Sequence, residues 1–285
     1  MSRRRTLTTT CHDTAGISGA LGMFVVNEGG FILDSQQFGD SETGRFFSRI
    51  AFTAAAGKLA PLQLLREHFA AVTDRFGMDW AIVDAEVRPR VLIGVSKFGH
   101  CLNDLLYRWK SGSLPVDIVG VFSNHDDMRA MTEWHGIAYH HLPVSNSTRG
   151  EQEGQLLALI EQTGTDCVVL ARYMQVFSDA LCSKLAWRCI NIHHSFLPSF
   201  QGAKPYHQAH GRGVKIIGAT AHYVTEHLDE GPIIEQNVER VDHALSAEQL
   251  VEVGRDVEAL VLSRAVRWHA ERRVLRNGQK TVVFR

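Results

Sequence analysis

The segment Asn191-Ile-His193-His194-Ser195-Phe196-Leu197-Pro198 places a carboxamide and an imidazole two positions apart in a stretch of extended-chain character. Strand side chains alternate with period two, so Asn191 and His193 point to one face. Asp229, in the later run Leu228-Asp-Glu-Gly-Pro232, can complete the set from a loop. A carboxamide does not titrate and donates steadily to a developing oxyanion. An imidazole carries a proton, and a carboxylate orients that imidazole or takes a proton from water. Together the three have the chemistry of acyl transfer without a covalent enzyme intermediate. An isolated Asn-x-His near a strand end more often only bonds exposed backbone, so the set gains weight from what surrounds it.

Other groups in the same region admit other readings. By strand alternation His194 faces away from His193, which predicts packing or backbone bonding for it. Ser195 lacks the Gly-x-Ser-x-Gly elbow of a nucleophilic serine. His193, His194, His207, His210 and His222 raise a metal site, and His207 and His210 can share a helix face. No HExxH and no Cys/His set joins them, so no catalytic metal is expected.

The elements that must position these groups fall on either side of Val87-Arg88-Pro89-Arg90. Before it, extended patterns at Thr6 to Cys11, Phe31 to Phe38, Arg45 to Phe52 and Trp80 to Val83 alternate with helical ones at Gly16 to Val26 and Pro61 to Phe76. The order is βαββαβ, a ferredoxin-like unit over residues 1–87. After it, short apolar runs at Val91 to Val95, Val116 to Phe122, Ile137 to Tyr139, Cys167 to Leu170 and Cys189 to Ile192 are separated by helical patterns. This predicts an α/β domain over residues 88–285 with a mainly parallel sheet. Asn191 then lies at the C-terminal end of a sheet strand, where open α/β sheets bind ligands. Ser246-Ala-Glu-Gln249 reads as a capping box opening a long scaffold helix with Leu250, Val253, Val257, Leu260 and Val261 on one stripe.

Composition narrows the function classes. The 285 residues, 45% hydrophobic, suffice for two cores, and 30 basic against 31 acidic residues leave a formal charge of -1. No whole-chain field recruits nucleic acid or an acidic membrane, so the expected partner is a small molecule. Five scattered cysteines form no CxxC pair and read as reduced, buried thiols. Met1-Ser-Arg-Arg-Arg5 is followed by no apolar run of a secretory signal, and an organellar presequence is a weak alternative; a cytoplasmic location is expected. No segment approaches the roughly 20 apolar residues of a membrane span.

Four segments carry a resemblance to the formyltetrahydrofolate deformylase family that runs over nearly the whole chain. They are Asn191-Ile-His-His-Ser-Phe-Leu-Pro-Ser-Phe200, Gly202-Ala-Lys-Pro-Tyr206, Ile217-Gly-Ala-Thr-Ala-His-Tyr-Val224 and Leu228-Asp-Glu-Gly-Pro-Ile-Ile-Glu-Gln236. The Asn-x-His and later Asp are shared with the broader formyltransferases, whereas His-His-Ser-Phe-Leu-Pro and Gly-Ala-Thr-Ala-His-Tyr-Val resemble the deformylase branch. The N-terminal unit resembles an ACT domain, with Asp13 and Gly16-Ile17 in its first loop and Gly39 to Phe47 in its central hairpin.

The resemblance implies an ACT domain followed by a Rossmann-like formyltransferase domain, and hydrolysis of 10-formyltetrahydrofolate to tetrahydrofolate and formate in one-carbon and purine metabolism. Asn191, His193 and Asp229 would be catalytic: Asn191 holding the oxyanion, His193 protonating the leaving nitrogen, Asp229 fixing His193 and accepting a proton from water. Met174, Gln175 and Val176, in Leu170-Ala-Arg-Tyr-Met-Gln-Val-Phe177, would line the folate pocket; by pattern alone Tyr173, Met174 and Phe177 equally suit the start of a core-facing helix. No cofactor is implied, the folate being substrate. The ACT-like unit implies a homo-oligomer and an amino-acid effector, methionine or glycine, with a purely structural interface as its plainer reading.

Two other functions remain in view. Formyl transfer to glycinamide ribonucleotide needs a phosphate-binding turn, and Val95-Ser-Lys-Phe-Gly-His-Cys-Leu-Asn-Asp104 offers one glycine and a bulky Phe98 there. An amino-acid-binding regulator would leave Asn191, His193 and Asp229 without a task.

Overall fold

A computed structural model of the protein describes residues 4–55, 59–197 and 205–285. The chain divides into two compact units, Met1–Arg88 with Glu271–Gly278 and Val282–Arg285, and Pro89–Ala270 with Gln279–Thr281.

The first unit runs β1 (Arg5–His12), α1 (Ile17–Asn27), β2 (Gly30–Asp40), β3 (Arg45–Ala54), α2 (Leu62–Phe76) and β4 (Asp79–Asp84). The expected βαββαβ order is present, and the strands form a small antiparallel sheet in the order β2-β3-β1-β4. Alternate residues of the central strands, Leu7 on β1 and Ile50 and Phe52 on β3, meet Leu21 and Phe24 of α1 and Leu65 and Phe69 of α2 in one buried core. Burying each such side chain stabilises by about 1.5–3 kcal/mol.

The second unit begins with β5 (Arg90–Val95), α3 (His100–Lys110), β6 (Asp117–Ser123), α4 (Arg129–Trp134), β7 (Tyr139–His141), α5 (Arg149–Gln162), β8 (Cys167–Leu170), α6 (Asp179–Lys184) and β9 (Cys189–His193). It continues through α7 (Pro205–Gly211), β10 (Ile216–Tyr223), β11 (Ile233–Arg240) and α8 (Ala247–Ala270). Its sheet has the order β11-β10-β9-β8-β5-β6-β7. From β9 to β7 neighbours are parallel, as the apolar runs predicted; strands covered on both faces, such as the wholly buried Cys167–Leu170, read as unbroken hydrophobic stretches. β10 and β11 add an antiparallel edge that the spacing of apolar runs had not separated into strands.

The capping box opening α8 forms reciprocally: Gln249 N–H donates to Ser246 Oγ at 3.3 Å and Ser246 N–H to Gln249 Oε1 at 2.8 Å. Beyond α8 the chain makes a final hairpin, β12 (Val274–Asn277) and β13 (Lys280–Val283). Leu275 and Phe284 there bury against Phe47 of β3, and Asn277 Nδ2 donates to Asp40 Oδ2 at 2.7 Å. The expected span 88–285 for the second domain is thereby shortened, because residues 271–278 and 282–285 group with the first unit. The five cysteines are buried free thiols. Among the described residues no helix is long and apolar enough to cross a membrane.

Candidate active site

The polar groups of the site stand where β9 and β10 pair. Antiparallel register sets His222 opposite Asn191 and Thr220 opposite His193, and facing residues of such a pair project to the same side. A register shift between Ala221 and His222 on the β11 side re-aims the ring of His222. Thr220 in turn faces Gln236 of β11. Its hydroxyl donates to Ser195 O at 3.0 Å and accepts from Leu197 N–H at 3.1 Å and Gln236 Nε2 at 2.9 Å, pinning the turn that leaves His193.

Asp229 arrives on the loop between β10 and β11. It holds a left-handed φ of 58°, which Asp tolerates better than most residues. Gly231 makes this loop possible: a Cβ there would lie 1.7 Å from the Tyr223 carbonyl oxygen, so only glycine lets the chain approach β10 so closely. The carboxylate reaches both imidazoles, with Oδ2 3.0 Å from His193 Nδ1 and Oδ1 3.6 Å from His222 Nε2. Burial pushes the Asp229 carboxyl up, but the hydrogen bonds and charges of His193 and His222 outweigh it and hold the group well below the usual carboxylate range.

These contacts decide protons. Nδ1–H of His193 points at Asp229, leaving Nε2 buried without a hydrogen-bond partner among the described residues. His222 Nδ1 lies 2.9 Å from the Tyr223 carbonyl, which can only accept, so that nitrogen carries a hydrogen. Nε2 lies 3.4 Å from Asn191 Nδ2 and 3.6 Å from Asp229 Oδ1, so it donates to the carboxylate when the ring is protonated and accepts from the carboxamide when it is neutral. In the neutral state Asn191 keeps its NH2 on the histidine side with a second N–H to spare.

Asn191, His193 and Asp229 line one cavity of about 240 Å³, and Met174, Gln175 and Val176 line it too. The segment holding the last three follows β8 and does not start a helix, α6 beginning only at Asp179. It is tied to β5 by Ala171 N–H to Gly94 O at 2.7 Å and by Met174 N–H to Ser96 Oγ at 3.0 Å. Met174 and Val176 remain 52% and 50% exposed, apolar surface offered to a ligand rather than to the core.

Some expectations change. His222, weighed from sequence only as one histidine among many, belongs to the charged cluster; the signal was its period-two placement with Thr220 in Ile217-Gly-Ala-Thr-Ala-His-Tyr223. His194 does not turn away. β9 ends at His193, alternation lapses, and the His194 ring lines the cavity, stacked on His193 with centroids 5.1 Å apart. His207 and His210 are exposed on α7, outside the residues that line the cavity, and their charges act on Glu248. Pro198, Ser199, Phe200, Gly202, Ala203 and Lys204 of the quoted motifs lie outside the described residues.

Known proteins resemble this chain over most of its length. The Formyl transferase family pattern matches residues 89–266. A formyltetrahydrofolate deformylase of Corynebacterium sp. (strain P-1) is 53% identical over 99% of this chain and 98% of its own. One from Bacillus subtilis (strain 168) is 47% identical over 98% and 93% respectively. The crystal structure of the formyltetrahydrofolate deformylase from Burkholderia mallei ATCC 23344 superposes with a TM-score of 0.94 at 51% identity, covering 99% of this chain and all of that one.

The chain belongs to the formyltetrahydrofolate deformylase family.

Behind the cavity, this formyltetrahydrofolate deformylase family member buries a second polar cluster. Glu258 of α8, 1% exposed, accepts from Tyr206 O–H at 2.8 Å and lies 2.9 Å from His100 Nε2 and 3.3 Å from Arg172 Nε. A glycine one turn earlier on α8 makes room: a Cβ on Gly254 would lie 2.1 Å from the Tyr206 ring. Burial raises the Glu258 carboxyl, yet His100 and Arg172 more than offset it and keep the group ionised. His100, Cys101 and Glu258 bring potential ligand atoms within 4.8 Å of one another. Glu258 pairs with His100 and Arg172 and accepts from Tyr206, and burial drives the Cys101 thiol well up. The turn at Ser96 to Gly99 presents Phe98 5.9 Å from the Arg172 guanidinium and 5.6 Å from that of Arg255.

Proposed function

We propose that this protein hydrolyses 10-formyltetrahydrofolate to tetrahydrofolate and formate, a hydrolase acting on the amide-like C–N bond at N10. The observation that carries the reading is the His193–Asp229 pair at 3.0 Å on the wall of a cavity shared with Asn191, in a chain whose full-length relatives are named for this reaction.

Water attack on the formyl carbon puts negative charge on its oxygen. The free N–H of Asn191 donates to that oxygen, and removal of such a donor typically costs on the order of 100- to 1000-fold in rate. His193, oriented by Asp229 through Nδ1, keeps Nε2 unpaired within the described residues, and from that nitrogen the protonated ring donates to the oxyanion and then to N10 as the C–N bond breaks. Met174, Gln175 and Val176 receive the flat pterin on apolar surface and open backbone groups. The reaction so written consumes water and needs no cofactor or metal.

The first unit is read as a ferredoxin-like ACT domain that binds an amino-acid effector, methionine or glycine, and joins copies of the chain into a homo-oligomer. Its βαββαβ order and β2-β3-β1-β4 sheet support that reading. So does edge strand β2, which leaves Phe31, Leu33 and Phe38 between 45% and 59% exposed. A cytoplasmic location in one-carbon and purine metabolism fits five free cysteines and a folate substrate.

Purified protein incubated with 10-formyltetrahydrofolate alone is expected to release stoichiometric formate. Formyl release that depends strictly on added glycinamide ribonucleotide would make it a transferase instead.

A further inference from the structure

The family resemblance gave Asp229 two tasks, fixing His193 and accepting the proton that the attacking water sheds, and the second does not sit easily with its contacts. Asn191 only donates there, and His193 delivers a proton to N10. Asp229 is engaged with two imidazoles, whose hydrogen bonds and charges hold its carboxyl below the usual carboxylate range.

Resting on the deformylation reading, we propose that His194 is a catalytic residue that holds the attacking water and takes its proton as the new C–O bond forms.

The ring lines the same cavity as Asn191, His193 and Asp229 and stacks on His193 with planes 29° apart, so both imidazoles border one reacting centre. Among the described residues neither of its ring nitrogens has a hydrogen-bond partner, although the ring is largely enclosed. An enclosed polar ring without a protein partner is satisfied by water, and the roomy polar side of His194 is the cavity.

The surroundings hold His194 in place as a neutral ring. Tyr206 of α7 packs its ring 6.4 Å from that of His194, and its hydroxyl is anchored on Glu258 of α8 at 2.8 Å. Arg172, on the loop after β8, is anchored on the same carboxylate at 3.3 Å. The charged groups facing His194 are therefore Arg172, Glu258, Asp229 and His193. Burial lowers the His194 pKa first, Arg172 and His193 lower it further, Glu258 and Asp229 oppose them, and it settles at about 4. A lone pair is therefore available on the ring at neutral pH.

The step balances. The water oxygen bonds to the formyl carbon, the carbonyl electron pair moves to oxygen under Asn191 and His193, and one water proton goes to His194. Collapse breaks the C–N10 bond; its electron pair goes to N10, which takes the Nε2 proton of His193. Formic acid leaves and ionises to solvent. The proton on His194 then returns to His193 through water across the stacked rings.

The test compares full-length wild type with His194→Gln, which can still hold water but cannot take its proton, and with His194→Ala. Turnover of 10-formyltetrahydrofolate is measured as formate, and tetrahydrofolate affinity is measured separately. Both variants are expected to lose about 100-fold or more in kcat, with imidazole in solution restoring part of the rate to His194→Ala only. Tetrahydrofolate affinity should stay within about threefold, since the loss falls on the reaction step rather than on binding. A His194→Gln enzyme within about fivefold of wild-type kcat would overturn the assignment, as would a rate loss matched by an equal loss of tetrahydrofolate affinity. Wild type that releases no formate would instead remove the deformylation reading, so the two failures are told apart.

Discussion

Replacing Asp229 by Asn keeps the size of the side chain and removes its charge, so it isolates what the carboxylate does. Two contacts are affected, 3.0 Å to His193 Nδ1 and 3.6 Å to His222 Nε2. A hydrogen bond to a charged group is worth about 1.5–3 kcal/mol and a neutral one about 0.5–1.5 kcal/mol, so losing the charge alone costs about 1–2 kcal/mol, or roughly 5- to 30-fold in rate. The larger effect is on the imidazolium. His193 donates from Nε2 in its protonated form, and a carboxamide at Nδ1 supplies no counter-charge for that form, so the ring is left a far poorer general acid, a contribution worth about 100- to 10,000-fold. Asp229→Asn is therefore expected to keep its circular dichroism and lose between about 100- and 10,000-fold in kcat, followed by formate-coupled NAD reduction. Because Asp229 acts through His193, the double variant Asp229→Asn/His193→Ala should be little worse than His193→Ala alone. Turnover of Asp229→Asn within about fivefold of wild type, or two losses that simply multiply, would refute the pairing as the source of activity.

Asn191→Ala should lower kcat by about 100- to 1000-fold with an intact fold, and near-normal formate release would remove it from the oxyanion site. Gly231→Ala forces the loop away from Tyr223 O and carries Asp229 with it; a displacement of about 1 Å should cost roughly 100-fold in kcat, and unchanged kinetics would show that the close approach is not required. Glu258→Ala leaves Arg172 buried without its carboxylate and should cost about 3–5 kcal/mol in urea unfolding, against which a loss below about 1 kcal/mol would count decisively. His194 titrates near 4 in the folded chain against 6.5 ordinarily, so between those values the unfolded chain binds more protons and stability falls as pH falls. His194→Gln should flatten that part of the unfolding midpoint's pH dependence, and identical slopes for both proteins would show that the ring is not held neutral.

Legibility in the sequence was a matter of what is local. Period-two and period-3.6 patterns found the βαββαβ unit and the parallel strands, because Val91 to Val95 or Cys167 to Leu170 need no partner to be recognised as buried strands. Asn191 and His193 were legible for the same reason, since two positions on one strand share a face whatever lies beside it. His222 was not, because its role depends on β10 pairing with β9 in a register that only tertiary structure sets. The direction in which His194 faces was not legible because alternation holds only inside a strand, and β9 stops one residue earlier. Nothing in the helix pattern marks Glu258 as buried. Its burial depends on Gly254 admitting Tyr206, and on Arg172 from a loop far away in sequence. That residues 271–278 and 282–285 group with the first unit was not legible, because Leu275 and Phe284 carry no mark of which core they join.

The change of direction within the second sheet explains why the site is where it is. β9 runs parallel to β8 and antiparallel to β10, so one strand borders a loop-rich sheet end on one side and a hairpin on the other. The β8 side supplies Met174, Gln175 and Val176, a largely apolar surface with room for a ligand. The hairpin side supplies rigid polar placement, because β11 begins opposite His222 and the loop carrying Asp229 must close at that level. A carboxylate brought in on a long loop is normally free to move. Here the tight passage of Gly231 under Tyr223 and contacts to two imidazoles remove that freedom before any substrate arrives. The orientation entropy of the acid is thus met during folding rather than at the reaction step, which is the condition under which Asn191, His193 and Asp229 can act on a neutral amide with water as the only other reactant.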